Sequence, residues 1–489
     1  MFPIISSMII LPAAGGLLAY LLGRAKEDYS RLVALGVSLV EVVLTIIAFA
    51  EVARSGLYTF MLQEDYIWVK GFVDFHLGLD GLGAPLITIA SSLTLLAAYG
   101  SKIEIEEKKA SYYSLLLLFL AASIGVFTSL NLILFYFFWD ATLLPMFFFI
   151  GIWGGPNRKY AASKFLLFTY GGSVAMLLGF IILYFSVPSP SFDFLSLLNQ
   201  QVQPSVQLLV SILTFIGFGV KLPVFPIHTW LPDAHVEAPT PISVLLAGLL
   251  LKLGGYGILR FNLQLFSYTA LHYAWFFMAV GLITMFYGAI VALRQSDMKR
   301  MVALTSINHM GFVLFGAFAG IAAAGSASFG IAGSVFQMFN HAFAIGLMFT
   351  LTGVVKHTFN TRDMNIIRGM RFEMPKASIL LILGALAAMA APLYSSFLSE
   401  FMVIYSGILY NSWLWVAVLV PGITAAYMLW MLKRMVLSEK DASLTYSDVS
   451  RGYAIYMLLF LIPLVLLLIA PGLILSPVMT FVRAVAGGA

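Results

Sequence analysis

The chain has 489 residues, of which 61% are hydrophobic and only 10% are charged. Soluble proteins carry about 25% charged residues, so this composition predicts a protein that lies almost entirely in a lipid bilayer. The net charge of +5 is then no indication of nucleic-acid binding, and the absence of cysteine excludes disulfides, iron–sulfur clusters and a cysteine nucleophile.

A helix that crosses a bilayer needs about 20 apolar residues, and the sequence contains fourteen such segments. The first lacks a basic start and a cleavage site, so it is predicted to be retained as a helix. The predicted fold class is therefore an all-α polytopic membrane protein with about fourteen transmembrane helices. In chain order they are expected near residues 3–23, 32–50, 80–100, 112–130, 132–152, 163–186, 205–225, 241–260, 271–293, 302–321, 328–355, 377–403, 412–432 and 453–474.

The distribution of lysine and arginine tests this helix count. Cytoplasmic loops of membrane proteins carry an excess of both residues. With the N-terminus outside and fourteen helices, the inside loops receive nearly all of them, and the outside loops receive only Arg54, Lys70, Arg260 and Arg483. The sequence therefore predicts a multi-pass protein of the cell (plasma) membrane with both termini outside.

Two of the predicted helices contain proline deep in the apolar run. In the seventh, Pro223 and Pro226 follow Lys221, and in the twelfth, Pro392 precedes Glu400. Proline removes a backbone hydrogen bond, and breaks at matching places in two halves mark the ion site of inverted-repeat transporters. We expect two inverted five-helix repeats, helices 4–8 and 9–13, with helices 7 and 12 broken.

This pattern divides the chain into four predicted regions. They are N-terminal helices 1–3 (residues 1–111), a first five-helix repeat (112–260), a second five-helix repeat (271–435) and a C-terminal helix 14 (436–489).

Ionisable residues inside apolar runs are the candidate site. A charge at the bilayer centre costs about 3 kcal/mol, and such residues mark functional sites by default. Because freed carbonyls near the helix break can hold an ammonium, Lys221 is predicted to load and release a proton, with Asp140 as its partner. The principal candidates for proton transfer are Asp140, Lys221, Lys252, His309 and Glu400, followed by Lys164, His228 and His341.

Structural explanations compete with some of these roles. Lys164 is near its helix start, where its side chain can reach the interface, and His309 and His341 can be ordinary core histidines. Asp80 is expected to cap or anchor the third helix. The segment with Arg362, Asp363 and Arg368 is interpreted as a solvated inside loop or a partner contact.

No metal or cofactor site is predicted in this chain. Asp233, His235 and Glu237 share one loop, but the spacing of Trp230, Leu231 and Pro232 favours a packed loop over a metal site. The sequence has no phosphate-binding glycine loop, dinucleotide fingerprint or haem motif, so we do not expect it to carry electrons itself.

The string KLPVFPIHTWLPDAHVEAPTPISVLLAGLLLKLGGYGILR resembles the signature of the antiporter-like subunits of respiratory complex I and of multi-subunit cation/proton antiporters. The resemblance covers essentially the whole chain, including LGLDGLGAPL, FFWDATLLPMFF, IWGGPNRKYAASKF, DMKRMVALTSINHMGF, HTFNTRDMNIIRGM and FLSEFMV. It is greatest for the subunit M branch of NADH-quinone oxidoreductase, the NADH dehydrogenase subunit 4 family. The acid at Glu400 and the absence of a long C-terminal lateral helix favour that branch.

The resemblance implies a proton-translocating subunit of a complex I-type membrane arm. Flavin, iron–sulfur clusters and quinone would then reside in partner subunits, with sister antiporter-like subunits on both sides. By matching position, Asp140 takes the place of the fifth-helix glutamate, Lys221 and Lys252 those of the seventh- and eighth-helix lysines, His309 that of the relay histidine and Glu400 that of the terminal acid. Two departures are the shorter side chain of Asp140 and Leu393 in place of the usual glycine after Pro392.

Other functions stay open at this point. The same fold serves Na⁺/H⁺ antiporters and complexes linked to ferredoxin, reduced deazaflavin or hydrogenase. A scaffold subunit that only packs its neighbours is a further alternative. A stand-alone solute transporter would need a polar substrate cavity that this composition hardly offers.

Overall fold

The computed structural model describes residues 3–69, 73–323, 327–439 and 446–486. Within these ranges, thirteen helices are long and apolar enough to cross a membrane. The remaining predicted segment, the twelfth, is divided by the structure into two shorter helices. The predicted helical membrane fold is confirmed.

The N-terminal part contains the one sheet of the described residues, a hairpin that the sequence did not predict. Its strands have nine and seven residues, whereas the search for spans detects only apolar runs of about 20 residues. The hairpin holds the first helix, because Glu64 accepts hydrogen bonds from the backbone N–H groups of Ile5 and Ser6. The elements are α1 (Ile4–Ala25), α2 (Glu27–Ser55), the antiparallel strands β1 (Met61–Val69) and β2 (Val73–Leu79), α3 (Gly83–Gly100) and α4 (Lys109–Thr128).

The predicted break in the seventh helix is confirmed. The helix ends at Lys221, the chain turns, and a short helix resumes at Trp230. The eighth helix continues without interruption but includes two wider π-helical stretches, Leu246–Leu250 and Ile258–Leu265. The α-helices of this part are α5 (Leu132–Ala141), α6 (Leu143–Trp153), α7 (Arg158–Ser186), α8 (Phe194–Leu198), α9 (Pro204–Lys221), α10 (Trp230–Glu237), α11 (Thr240–Leu245), α12 (Leu251–Gly257) and α13 (Ser267–His272).

The twelfth helix is broken as predicted, with Pro392 in the turn between its two halves. A 3₁₀ segment, Ser412–Val418, leads into the following helix. The helices are α14 (Ala274–Leu293), α15 (Met298–Ala322), α16 (Ala327–Phe359), α17 (Met370–Glu373), α18 (Pro375–Ala388), α19 (Ser395–Tyr410), α20 (Leu419–Met435), α21 (Arg451–Leu458), α22 (Leu461–Ile469) and α23 (Gly472–Ala486).

Three spans form the centre of the bundle. The apolar windows of Thr240–Leu265 and Met298–Ala322 are 100% buried, and that of Phe329–Phe359 is 94% buried. By comparison, the window of Glu27–Ser55 is only 28% buried. The central spans carry Lys252, His309 and His341, so these three side chains lie inside protein rather than against lipid.

Two cations predicted for loops are instead buried. Arg260, predicted outside, is 2% exposed because the eighth helix continues to Leu265, and it donates to Asp80 Oδ1 at 2.6 Å. Asp80 also accepts from the backbone N–H groups of Leu82 and Gly83, and it therefore anchors the start of α3. Lys299, predicted inside, is 3% exposed and donates to the Ala238 carbonyl at 2.5 Å. Lys70 and Lys440, also used in that prediction, lie outside the described residues.

Candidate functional site

Lys252 is held at the centre of the bundle by a local change of helix type. It is fully buried and follows the π-helical stretch Leu246–Leu250. Its Nζ donates to the Ala247 carbonyl at 2.7 Å and lies 2.5 Å from His341 Nδ1. Single π turns often occur at functional sites, and here the turn provides one ligand of the ammonium.

The line of titratable groups continues from His341. The rings of His341 and His309 are 5.4 Å apart and nearly perpendicular. His309 Nε2 lies 3.6 Å from Glu400 Oε1, which is longer than a hydrogen bond but close enough for opposite charges to attract. Lys252, His341, His309 and Glu400 therefore form one continuous line, and we call it the central line.

Amide and hydroxyl side chains form a network beside this line. Asn340 donates to Ser399 at 3.0 Å, Ser399 donates to Gln337 at 2.5 Å, and Gln337 donates to Glu400 Oε1 at 3.2 Å. Ser395 is the other end of the network and donates to Asn340 Oδ1 at 2.6 Å. The sequence analysis missed these residues. Gln337 and Asn340 are three residues apart on α16, and Ser395 and Ser399 are four apart on α19, so the members of each pair share one face of their helix.

Glu400 is much less exposed than the aromatic side chains near it on α19. Phe397 and Phe401 are 42% and 52% exposed. Glu400 itself is 4% exposed. Its carboxylate contacts the polar side chains of Gln337 and His309.

The predicted direct pair of Asp140 and Lys221 is wrong. Lys221 Nζ donates to the Trp139 carbonyl at 3.0 Å and to Thr142 Oγ1 at 2.9 Å, and lies 3.7 Å above the Trp139 ring. The Asp140 carboxylate accepts instead from Ser173 of α7. At the junction of α5 and α6, the Trp139 carbonyl and the Thr142 hydroxyl face Lys221 of α9. The Asp140 side chain points towards α7. The Asp140 charge therefore acts on Lys221 through space.

The helices of Lys221 and Lys252 touch at a glycine. A Cβ added to Gly254 would lie 2.5 Å from Leu222 N and 2.7 Å from the Phe218 carbonyl oxygen. No hydrogen bond or ion pair joins the two lysines, both of which the structure describes. The structure thus brings the two lysine-bearing helices together without a direct contact between the ammonium groups.

Lys164 and His228 lie apart from the central line. Lys164 Nζ pairs with Asp233 Oδ2 at 2.7 Å, and Arg300 lies 3.5 Å from the other oxygen of the same carboxylate. An ion pair therefore replaces the expected reach of Lys164 towards the interface. His228 is 2% exposed and packs against the rings of Phe225 and Tyr287.

His235, which the sequence placed in a loop, lies inside the bundle. It is fully buried and its ring stacks on Phe349 at 4.5 Å. Neither ring nitrogen has a hydrogen-bond partner among the described residues. The described residues contain no group of three or more candidate metal ligands, and within its loop Asp233 is paired with lysine and arginine.

The chemistry that this arrangement supports is proton transfer. A neutral imidazole accepts a proton at one ring nitrogen and donates one from the other, and histidine exchanges protons near neutral pH. His341 Nδ1 faces the Lys252 ammonium, so it is the acceptor of that contact. The line then runs from an ammonium through two imidazoles to a carboxyl group.

Comparison with known families gives a match over residues 129–426, to the family described as NADH:quinone oxidoreductase/Mrp antiporter, transmembrane. NADH-quinone oxidoreductase subunit M of Rickettsia felis is 35% identical, over 98% of this chain and 97% of its own length. NAD(P)H-quinone oxidoreductase chain 4 3 of Picosynechococcus is 36% identical, over 90% of this chain and 81% of its own length.

Solved structures show the same fold. A chain of respiratory complex I from Thermus thermophilus superposes with a TM-score of 0.88 at 24% identity, over 99% of this chain and 100% of the other. A chain of the Mrp complex from Dietzia gives a TM-score of 0.85 at 18% identity, over the full length of both chains. At these identities the structural likeness shows the fold alone.

Proposed function

Because this chain belongs to the family of NADH:quinone oxidoreductase and Mrp antiporter transmembrane subunits, we propose that it is the proton-translocating, antiporter-like subunit of a complex I-type NADH-quinone oxidoreductase. Relatives named NADH-quinone oxidoreductase subunit M match almost from end to end at about a third of positions, which supports this assembly over an antiporter. The chain works as part of an oxidoreductase and translocase.

The observation that carries the proposal is the central line. An ammonium, two imidazoles and a carboxyl group follow one another inside the two helices α15 and α16 and their neighbours α12 and α19. Buried charges are costly in a bilayer and are retained for function. A bundle that only packed against its neighbours would have no use for such a series.

The roles follow from the geometry. Redox chemistry in other subunits changes the charge near Lys221, which sits at the broken end of α9 and senses Asp140 through space. Lys252 then passes its proton to His341, His309 transfers it onward, and Glu400 receives it. Flavin, iron–sulfur clusters and quinone belong to partner subunits, this chain has no redox centre, and sister antiporter-like subunits flank it in the cell membrane with both its termini outside.

Replacing Lys252 by methionine tests the proposal. Methionine fills a similar space but carries no proton, so we expect proton pumping in sealed vesicles to fall by about tenfold or more, since positioned proton-transfer groups contribute about 10²–10⁴ to a rate. Lys102→Met, at an exposed position, is the matched control and should pump normally. Normal pumping by an assembled Lys252→Met complex would refute the role.

The same vesicles separate the proposal from cation/proton antiport. A redox-driven pump acidifies the vesicle interior upon addition of the electron donor, with no requirement for Na⁺. An antiporter instead moves protons when a Na⁺ gradient is imposed and the donor is absent. Proton movement of the second kind alone would assign the chain to the antiporter branch of its family.

A further inference from the structure

A cation-lined cavity lies at the end of α20, away from the central line. It has a volume of about 380 Å³, and its lining includes Arg368, Lys433 and Arg434 together with Trp430. None of the three cations forms an ion pair with an acid among the residues that the structure describes. Three cations without an acidic partner among the described residues therefore line one cavity, and this arrangement requires an explanation.

The cavity is built by a loop fastened to the helix end. Gly369 N–H donates to Ser438 Oγ at 2.9 Å, and Ser438 in turn donates to the Arg434 carbonyl at 2.6 Å. Arg434 Nη1 donates to Asn365 Oδ1 at 2.6 Å, and its guanidinium lies 4.9 Å above the Trp430 ring. One guanidinium is therefore held in place at the cavity.

Asp363, an acid of the same loop, already accepts two hydrogen bonds. Asp363 accepts hydrogen bonds from the backbone N–H and the side-chain amide of Asn365, both at 2.9 Å. These bonds orient the Asn365 amide so that its oxygen faces Arg434. Neither Asp363 nor any other acid of the described residues lines the cavity.

Cations in the last turn of a helix also interact favourably with its dipole, which gives Lys433 and Arg434 a structural explanation. That explanation does not account for Arg368, which comes from the loop and faces the same cavity. It also does not account for the exposed apolar side chains next to the cations. Trp430 lines the cavity and is 56% exposed, and Ile366, Leu429 and Leu437, which are close to the cations in sequence, are also half exposed or more. We call these four side chains the apolar rim.

We propose that this cavity binds the phosphate of an anionic phospholipid, with its acyl chains lying along the apolar rim. Basic pockets between transmembrane helices on the cytoplasmic side bind anionic headgroups, and arginine binds phosphate through two parallel hydrogen bonds. Tryptophan is enriched at the membrane interface. A phospholipid presents one phosphate beside apolar chains, which matches cations beside an apolar rim.

Native mass spectrometry of the full-length chain in its assembled complex tests the proposal. The double variant Arg368→Gln/Arg434→Gln should bind phosphatidylglycerol about tenfold or more weakly, since each cation near the membrane adds severalfold to anionic-lipid binding. The control Lys102→Gln/Lys159→Gln removes the same charge at exposed positions on the same predicted side and should bind as the wild type does. Equal binding by the double variant and the control would overturn the proposal.

Two further arms identify the bound molecule. Excess inorganic phosphate should not displace phosphatidylglycerol, and displacement would instead indicate a site for the free ion. A photo-crosslinking amino acid at position 430, in a chain that retains all three cations, should label lipid. Labelling of an acidic segment of a neighbouring subunit would contradict the proposal, and this arm does not depend on the folding of the charge variants.

Discussion

At the scale of single residues, the hydrogen-bond partners of the two histidines decide how the central line could transfer a proton. His341 interacts with Lys252 through Nδ1, while its Nε2 has no hydrogen-bond partner among the described residues. Within the same residues, neither ring nitrogen of His309 forms a hydrogen bond of normal geometry. Unsatisfied buried polar atoms are costly, and groups that exchange protons need a free position to do so. We predict that proton transfer occurs at these nitrogens.

His341→Gln should therefore slow pumping without loss of assembly. Glutamine can still accept a hydrogen bond from Lys252, but it cannot carry a proton. We expect the rate of proton translocation in sealed vesicles to fall by about tenfold or more, in line with the loss of a proton-transfer group. His272→Gln is the matched control, because His272 is exposed and bonds only the Tyr268 carbonyl of its own helix. If both variants pumped at the wild-type rate, His341 would be a packing residue.

The identity of these residues was predictable from the sequence, but their pairing was not. An ionisable residue in an apolar run is conspicuous, and this pattern identified Lys221, Lys252, His309 and Glu400 as candidates. Whether Asp140 faces Lys221 or Ser173 depends on the rotation of α5 about its axis and on the junction at Thr142. Sequence hydropathy does not contain this angle, so the direct pair was a wrong prediction.

At the scale of elements, breaks and close approaches position the site. Hydropathy predicted the spans and the prolines predicted both breaks, because apolar length and proline geometry are local properties. The hairpin β1–β2 was not predicted because it is held by contacts between residues distant in sequence, such as those of Glu64 with α1 and of His76 with Asp193. The eighth helix was predicted to end at Arg260, because the sequence does not show that Asp80 pairs with this buried arginine.

Gly254→Ala tests the contact between α9 and α12. The new methyl group would meet the backbone of Phe218 and Leu222, which cannot move aside as a side chain can. Overpacking of this kind costs about 1–3 kcal/mol, so we expect a lower thermal unfolding temperature and impaired pumping. Gly171→Ala has open space around the new methyl group and should leave both unchanged. Equal unfolding temperatures would show that the helices are not in close contact there.

The hairpin is fastened to the loop before α8 by a pH-sensitive contact outside the spans. His76 Nδ1 lies 2.6 Å from Asp193 Oδ2. Burial alone lowers the pKa of His76, but the hydrogen bond and charge of Asp193, aided by Asp65 and Asp74, outweigh it, and the net pKa lies above its usual 6.5. A raised pKa in the folded state gives stability that is complete below pH 6.5 and is lost as pH rises through the folded-state value.

Hydrogen exchange of β2 should therefore quicken as pH is raised from 6.5, after correction for the intrinsic exchange rate. His76→Gln cannot be protonated, so its corrected exchange should be fast and independent of pH over the same range. The hairpin lies at the opposite end of α1 and α2 from their short connection, so pumping should be unaffected. A wild-type hairpin whose corrected exchange does not vary with pH would show that this contact contributes nothing to docking.

At the scale of the whole molecule, the three most buried spans carry Lys252, His309 and His341, and α19 adds Glu400 to the central line. These side chains therefore lie away from lipid, while the outward faces of the bundle remain apolar. The family relationship was predictable from long motifs, whereas the route between the two lysine-bearing helices was not. Its course depends on how α9 and α12 pack, which no motif specifies.

The most direct test of the central claim is the number of protons translocated per electron pair in proteoliposomes containing the Glu400→Gln complex. Glutamine can keep the hydrogen bond with Gln337 but cannot receive a proton from His309, so the ratio should fall below that of the wild type, while Glu400→Asp should retain most of it. Glu51→Gln, on the exposed face of α2, controls for loss of a carboxylate and should give the wild-type ratio. An unchanged ratio in an assembled, active Glu400→Gln complex would contradict the proposal that protons leave along this line.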